Sequence, residues 1–126
     1  MRTIIRGPVI DGVPFIDTNV STDGTLELGR TGELQLIIDT GFDGGIALPM
    51  ELITRLALPI IGHCNFRLAI GEEVEFPMHW AVVRLGGNTY ETEVIPGDQL
   101  LGTGFLSRAC TRLSIDFDGE EVRLEG

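Results

Sequence analysis

An aspartate next to a glycine-containing loop is the residue of this sequence best placed to carry acid–base chemistry. Asp39 directly follows residues 34–38, in which four of the five residues are Leu or Ile. A short apolar run bounded by turn residues predicts a strand buried on both faces. A carboxylate at the end of such a strand loses water, which is costly unless a second group pairs with it or it keeps a proton. The simpler interpretation is an aspartate that starts an ordinary turn.

The loop that follows has the composition of a tight, backbone-rich turn. Residues 40–45, Thr40-Gly41-Phe42-Asp43-Gly44-Gly45, include three glycines, which tolerate backbone conformations closed to other residues. The sequence contains a second Asp-Thr pair, Asp17-Thr18-Asn19, in which Asn stands where the first has Gly. Since Asn does not give the same backbone freedom, we interpret that copy as polarity at a strand edge.

Other chemistries fit the sequence less well. An aspartyl nucleophile for phosphoryl transfer usually has a second acid two residues on or a Lys directly after it, and Thr40 and Gly41 supply neither. Gly102-Thr103-Gly104 lacks the rest of a nucleotide-binding loop and is better explained as a helix start. Residues 116–121 lack the length and closing Glu of a calcium loop. His63 and His79 have no metal-ligand spacing, so no metal and no cofactor are expected.

Composition bounds the class of protein. The chain has 126 residues, 43% of them hydrophobic, which predicts one globular domain over residues 1–126. A formal charge of −10 argues against nucleic acid or an anionic membrane as partner, because both require a basic patch. The N-terminus lacks the apolar region of a signal peptide, so we expect a cytoplasmic protein in which Cys64 and Cys110 stay reduced.

Seventeen glycines and six prolines divide the chain into short runs rich in Val, Ile, Thr and Phe, a pattern typical of an all-β domain. Strands are predicted at residues 13–20 and 34–38, with 25–28 pairing back on the first. Hairpins are predicted around Gly71, around residues 86–88 and around residues 118–119. Pro77 indicates that the returning arm of the first hairpin is not a central strand at that point.

Two short helices are predicted between the strands. Residues 50–58 have helical propensity, with four apolar side chains that share one side and Pro59 as the stop. Residues 103–110 follow Leu100-Leu101-Gly102, and Thr103 is a candidate N-cap for this second helix.

The order of these parts resembles the retroviral-type (retropepsin-like) aspartic peptidases. An apolar strand runs into Asp39-Thr40-Gly41, a glycine-containing hairpin follows, and Leu100-Leu101-Gly102 precedes a short helix. Asp39-Thr40-Gly41-Phe42, followed by Gly44 or Gly45 and by Leu48-Pro49, looks most like the single-domain prokaryotic branch of that clan. The resemblance covers nearly the whole chain from Val13 onward.

The resemblance implies a mainly β fold, a closed acid-protease barrel with one or two short helices and a flap hairpin. It implies a homodimeric aspartic endopeptidase in which each subunit gives one Asp39 to a shared site, since one chain carries only one complete motif. Thr40 would bond across the dimer axis, and Gly41 would leave room for the backbone of a peptide or unfolded protein substrate. The alternative is a non-catalytic dimerising or peptide-binding module on the same fold.

The same resemblance assigns supporting roles to other residues. Leu100, Leu101 and Gly102 would pack beneath the active-site loop, and Ile70 and Gly71 would lie at the tip of a flap that closes over the substrate. Asp43 corresponds to an acid that binds substrate backbone, although a structural ion pair explains it equally well. Residues 122–124 are a candidate dimer-interface strand. Glu72 and Glu73 add negative charge beside the flap tip, which would disfavour acidic peptides or favour basic ones.

Overall fold

The computed structural model describes residues 2–22, 31–67 and 70–126. Within these ranges the chain forms ten strands and two short helices, so the prediction of a mainly β fold is confirmed. The strands are β1 (Thr3–Ile10), β2 (Val13–Ser21), β3 (Thr31–Ile38), β4 (Ile46–Leu48), β5 (Ile60–Arg67), β6 (Glu73–Leu85), β7 (Asn88–Pro96), β8 (Leu100–Leu101), β9 (Arg112–Asp116) and β10 (Glu121–Glu125). The helices are α1 (Met50–Arg55) and α2 (Thr103–Ala109).

All ten strands belong to one sheet. Its order is β5-β6-β7-β4-β8-β3-β2-β1-β10-β9, and β6 also pairs with β2. The short strand β8 lies between β3 and β4, parallel to the first and antiparallel to the second. Sequence-distant segments are therefore brought together at the carboxyl end of β3, where Asp39 follows.

The core is formed by buried side chains of the sheet and of both helices. Its largest fully buried side chains come from nine different elements and include Ile16, Leu36, Leu101, Phe105 and Leu124. Fully burying a side chain of this size contributes about 1.5–3 kcal/mol to folding. Tyr90 packs edge-on against Phe105, with ring centroids 5.2 Å apart, and so fixes α2 on the sheet.

The predicted hairpins are present, and their turns explain their positions. Gly86 and Gly87 join β6 to β7 with φ of +58° and +88°, a left-handed pair that glycine adopts at little cost. Pro77 lies in the part of β6 that pairs only with β5, as expected for a residue without an amide hydrogen. The predicted strand at residues 25–28 lies outside the described residues.

Three local predictions need correction. Strand β3 is not buried on both faces: Leu36 and Ile38 are buried, but Gln35 on the opposite face is exposed and Ile37 is only half-buried. β3 pairs with β2 and β8, and its opposite face is only partly covered, so the strand alternates as a half-buried strand does.

Helix α1 ends earlier than predicted. Its last residue is Arg55, because Ala57 adopts a left-handed conformation (φ +54°) and Leu58 turns back to donate to the carbonyl of Ile53. Pro59 therefore lies beyond the stop instead of causing it. The buried side of the segment is nevertheless as predicted, since Ile53, Leu56 and Leu58 are all buried.

Thr103 is not the N-cap of α2. Gly102 occupies that position without a side-chain bond, and Thr103 is the first helical residue. Its hydroxyl instead donates to the carbonyl of Phe42 at 3.3 Å, which ties the helix to the loop after Asp39. Strand β1, which pattern reasoning passed over, pairs with both β2 and β10.

A buried histidine gives the fold a pH dependence. His79 on β6 is 6% exposed, its Nδ1 has no hydrogen-bond partner within the described structure, and its burial lowers its pKa below the ordinary value of 6.5. The unfolded chain therefore binds this proton more tightly than the folded one. The free energy of unfolding should fall as pH drops below about 6.5 and stop falling below the lowered pKa.

Urea denaturation between pH 5 and pH 8 measures this effect. His79→Phe should lose this part of the pH dependence, whereas the exposed His63→Gln should retain it. Equal pH dependence in wild type and His79→Phe would show that other groups cause it.

Candidate active site

The loop after β3 is held by backbone hydrogen bonds to the Leu100-Leu101-Gly102 segment. The amide of Asp39 donates to the carbonyl of Leu101 at 3.0 Å, and the amide of Gly102 donates to Gly45 at 2.8 Å. The amide of Thr103 adds a bond of 2.8 Å to Phe42. Both ends of the loop are therefore fixed to the same short strand and helix start.

Within the loop, the carboxylate of Asp39 is itself oriented. Its Oδ1 accepts a hydrogen bond from the amide of Gly41 at 2.9 Å, and the amide of Phe42 donates to the Asp39 carbonyl at 3.2 Å. Asp39 is half-buried, and Thr40 and Gly41 are exposed. The chain thus presents one positioned carboxylate at an open edge, with one oxygen free of bonds to the described residues.

Close packing explains why glycine occurs at Gly102 and Gly104. A Cβ on Gly102 would collide with the carbonyl oxygen of Gly44 and lie 2.8 Å from that of Phe42. A Cβ on Gly104 would lie 2.6 Å from the carbonyl oxygen of Asp43. The obstacles are backbone atoms, which move only if the loop itself moves, so α2 and the loop form one closely packed unit.

The predicted site residues fall into two groups. Asp39, Thr40 and Gly41 lie together with Leu100, Leu101 and Gly102, as the hydrogen bonds above show. The other group is at the turn between β5 and β6: Ile70 is 80% exposed, and Gly71 has φ +87° in an exposed turn. That hairpin tip is not packed on the loop in this conformation of a single chain.

Asp43 is exposed and forms no ion pair with any residue of the described ranges. The structural ion pair that the sequence left open is therefore not seen. The carbonyl oxygen of Asp43 faces α2 at Gly104, so its backbone belongs to the packed side of the loop.

Sequence reasoning missed a pocket beside the loop. It has a volume of about 350 Å³ and is bounded by the loop residues Phe42, Gly44 and Gly45 and by side chains of β4, β5, β6 and β7. Trp80 and Glu93, which face each other across β6 and β7, both line it. The predicted hairpin around residues 86–88 could have indicated that Trp80 faces Glu93, since the pairing of β6 with β7 sets the two opposite each other. No local pattern indicates that the loop after β3 lies beside them.

Arg108 was also missed, and it anchors α2. Its guanidinium donates to the carbonyl of Glu91 at 2.9 Å and to the hydroxyl of Thr92 at 3.2 Å, while its Nε donates to Gly104 at 3.2 Å. The charge also lies 5.9 Å from the centre of the Phe105 ring. Arg108 therefore joins the helix that supports the loop to the strand that carries Glu93.

The described residues hold no cluster of three or more His, Cys, Asp or Glu side chains suited to a metal ion. Neither helix of the described chain is long and apolar enough to cross a membrane. Cys64 and Cys110 are both free and half-buried, and burial raises the pKa of each thiol.

Comparison with known proteins shows the fold. No protein-family model and no curated protein sequence matches this chain. Among solved structures it is similar to EIAV protease complexed with the inhibitor HBY-793, with a TM-score of 0.56. The two sequences are 16% identical, and the match covers 83% of this chain and 95% of the other. The chain therefore has a retropepsin-like fold.

Proposed function

We propose that this chain is one subunit of a homodimeric aspartic endopeptidase whose catalytic pair consists of Asp39 from each subunit. The observation that supports this best is the construction of the loop: a single oriented carboxylate, half-exposed, on backbone fixed to Leu101 and Gly102. An ordinary turn needs no such support. The retropepsin-like fold also supports the proposal, because the similar solved structure is a protease.

Peptide hydrolysis by this route needs two carboxylates. Two such groups held against each other share one proton, so one acts as base on a water molecule while the other gives a proton to the scissile carbonyl. One chain supplies only one complete Asp-Thr-Gly motif, and a two-fold axis supplies the second. In this arrangement Thr40 forms a hydrogen bond to the partner subunit across the two-fold axis. Gly41 leaves room for the substrate backbone, and Asp43 binds that backbone.

The remaining strands take the roles expected of this fold. The pairing of β6 with β2 supports a closed barrel, since it joins two strands that are otherwise separated in the sheet order. The exposed tip at Ile70 and Gly71 is proposed as a flap that reaches its closed position only over a peptide or unfolded protein bound at the dimer axis. We place the protein in the cytoplasm.

The proposed dimer interface is the outer edge of β9, not the predicted strand at residues 122–124. β10, which contains those residues, is paired on both sides, with β1 and with β9. β9 ends the sheet order and has one paired side among the described residues. A hollow of about 230 Å³ between Thr40, Leu106 and Leu113 lies between this edge and the catalytic loop.

The sequence of β9 is complementary to itself. If two copies pair antiparallel with Ser114 opposite Ser114, Arg112 of one chain faces Asp116 of the other. Leu113 then faces Ile115, on the side where both already pack against the core. Opposite charges and apolar pairs directly across strands are each stabilising. The edge thus fits a second copy of this chain in one register.

Charge reversal on β9 tests this interface. Arg112→Asp or Asp116→Arg alone places like charges opposite each other and should weaken the dimer about tenfold or more. The dimer loses two attractive contacts of about 0.2–1 kcal/mol each, and the like charges that replace them repel. The double variant restores opposite charges and should recover the dimer. Sedimentation equilibrium measures the dissociation constant, and Arg55→Asp, at an exposed residue of α1 outside β9, is the control. A double variant as weak as the singles would place the interface elsewhere.

The function itself is tested by cleavage of unfolded proteins and peptide libraries by the wild type, from acid to neutral pH, with and without a statine-type inhibitor. Inhibited cleavage whose rate rises with the square of concentration in the dilute range supports a dimeric aspartic peptidase. A dimer that binds peptides without cleaving them under any of these conditions would instead establish the non-catalytic module.

A further inference from the structure

We propose that the pocket beside the catalytic loop selects a basic side chain, arginine in preference to lysine, with Glu93 as its specificity-determining residue. This inference rests on the proposed function for its role in catalysis, although the binding itself does not require cleavage. The net negative charge of the chain alone would favour basic peptides in general, whereas this proposal assigns a preference for arginine to one side chain in one pocket.

The pocket is lined mainly by apolar side chains. Phe42 closes it on the loop side, and Ile61, Met78, Trp80 and Ile95 form its other walls. Its volume of about 350 Å³ is at the lower end for ligand pockets, which suits one long side chain better than a larger molecule. Among the described residues that line it, Glu93 is the one Asp, Glu, Lys or Arg.

The carboxylate of Glu93 is directed toward this space. Its Oε1 lies 3.1 Å from where a Cβ on Gly45 would stand, so the absence of a side chain at Gly45 gives it room. The thiol of Cys64, also in the pocket wall, has its pKa raised first by burial and second by the negative charge of Glu93. The negative charge of Glu93 is therefore felt by Cys64, on another wall of the same pocket.

This carboxylate lacks a charged partner. No Lys, Arg or His of the described residues forms an ion pair with Glu93. The neighbouring Arg108 donates instead to the Glu91 carbonyl and to the Thr92 hydroxyl. The Thr92 hydroxyl lies 3.5 Å from Oε2 of Glu93, a long hydrogen bond from a neutral donor. A carboxylate at an apolar wall with no ionic partner is best satisfied by a cation on an apolar stem.

Trp80 favours arginine over lysine. It lies directly opposite Glu93 across the β6–β7 ladder, so the indole and the carboxylate stand side by side on one face. A guanidinium can stack on an indole and donate two parallel hydrogen bonds to a carboxylate, whereas an ammonium offers a point charge. The pair therefore forms a receptor with the shape and charge of an arginine side chain.

The first experiment measures cleavage of a peptide library in which each position is varied. Wild type should favour Arg at one fixed position from the cleaved bond. Glu93→Gln should lower the ratio of kcat/KM for Arg peptides to kcat/KM for Leu peptides about tenfold or more, the expected loss for one charge-assisted contact. Glu91→Gln removes an exposed carboxylate from the same face of β7, two residues away, and should have no effect. Equal selectivity in Glu93→Gln and wild type would overturn the proposal.

The second experiment needs no cleavage. In a Cys110→Ser background Cys64 is the remaining cysteine, and its alkylation by iodoacetamide reports occupancy of the pocket. Nα-acetyl-arginine amide at its dissociation constant should slow alkylation about twofold, and its neutral isostere Nα-acetyl-citrulline amide should not. Glu93→Gln should abolish this protection and shift the alkylation profile to lower pH, because the raised pKa of Cys64 falls.

The two experiments separate the two proposals. Protection by the arginine probe in a protein that cleaves nothing would retain the pocket and reject the peptidase. Cleavage without protection and without an Arg preference would retain the peptidase and reject the pocket.

Discussion

Asp39→Asn is expected to abolish peptide-bond cleavage, lowering kcat/KM about 10³-fold or more. The physical reason is that an amide can neither take a proton from water nor give one to the substrate, and positioned acid–base groups contribute about 10²–10⁴-fold. Since both subunits carry the substitution, the site loses both carboxylates at once. Cleavage of a fluorogenic peptide selected from the wild-type library is the measurement.

The substitution separates chemistry from folding. Asn retains an Oδ1 that can accept the hydrogen bond from the Gly41 amide, so the loop and the stability of the chain should stay near wild type. Asp17→Asn is a matched control, because Asp17 belongs to the other Asp-Thr pair and lies exposed on β2. Cleavage that survives in Asp39→Asn but not in Asp17→Asn would reverse the assignment.

Gly102→Ala should destabilise the fold and, with it, the site. The added methyl group would meet the backbone carbonyls of Gly44 and Phe42, so either the loop or the start of α2 must move. Forcing an extra methyl into such packing typically costs about 1–3 kcal/mol. Urea denaturation should show that loss, and cleavage should fall further than the folded fraction alone requires, because Asp39 is displaced.

Gly62→Ala is the control for this substitution. A Cβ on Gly62 meets no atom within 4 Å, and its φ lies outside the positive range that disfavours side chains. It should fold and cleave as the wild type does. A Gly102→Ala variant with wild-type stability would show that the loop and helix are not the closely packed unit described above.

The local pattern of the chain predicted much of the fold, for reasons visible in particular residues. Alternation in β9 and β10 and the paired glycines at Gly86 and Gly87 determine hairpins through contacts within a few residues. The combination of Asp39 with Leu100-Leu101-Gly102 was predicted by resemblance, and the hydrogen bond from the Asp39 amide to Leu101 shows the two segments in contact.

What was missed depends on contacts between distant segments. The position of β1 between β2 and β10 is a property of strand order, which no local pattern contains. The pairing of Trp80 with Glu93 belongs to the predicted hairpin around residues 86–88, but the pocket that the two line also needs the loop after β3. The left-handed conformation of Ala57, which ends α1, is disfavoured for alanine, so helix propensity predicted a later end at Pro59. The exposed edge of β9 likewise became evident only when β10 was seen paired on both sides.

Strand β6 has two regions that differ in strand pairing, and Pro77 lies close to the boundary between them. On the C-terminal side, from His79 onward, it is paired with β7 and, near its end, with β2. On the N-terminal side its pairing is with β5 alone, and a two-stranded ribbon is marginally stable by itself. Opening of the outer ribbon would therefore break hydrogen bonds to β5 alone and leave the ladder between β6 and β7 intact. The part of the sheet that supports Asp39 is thus insulated from local unfolding of the outer ribbon.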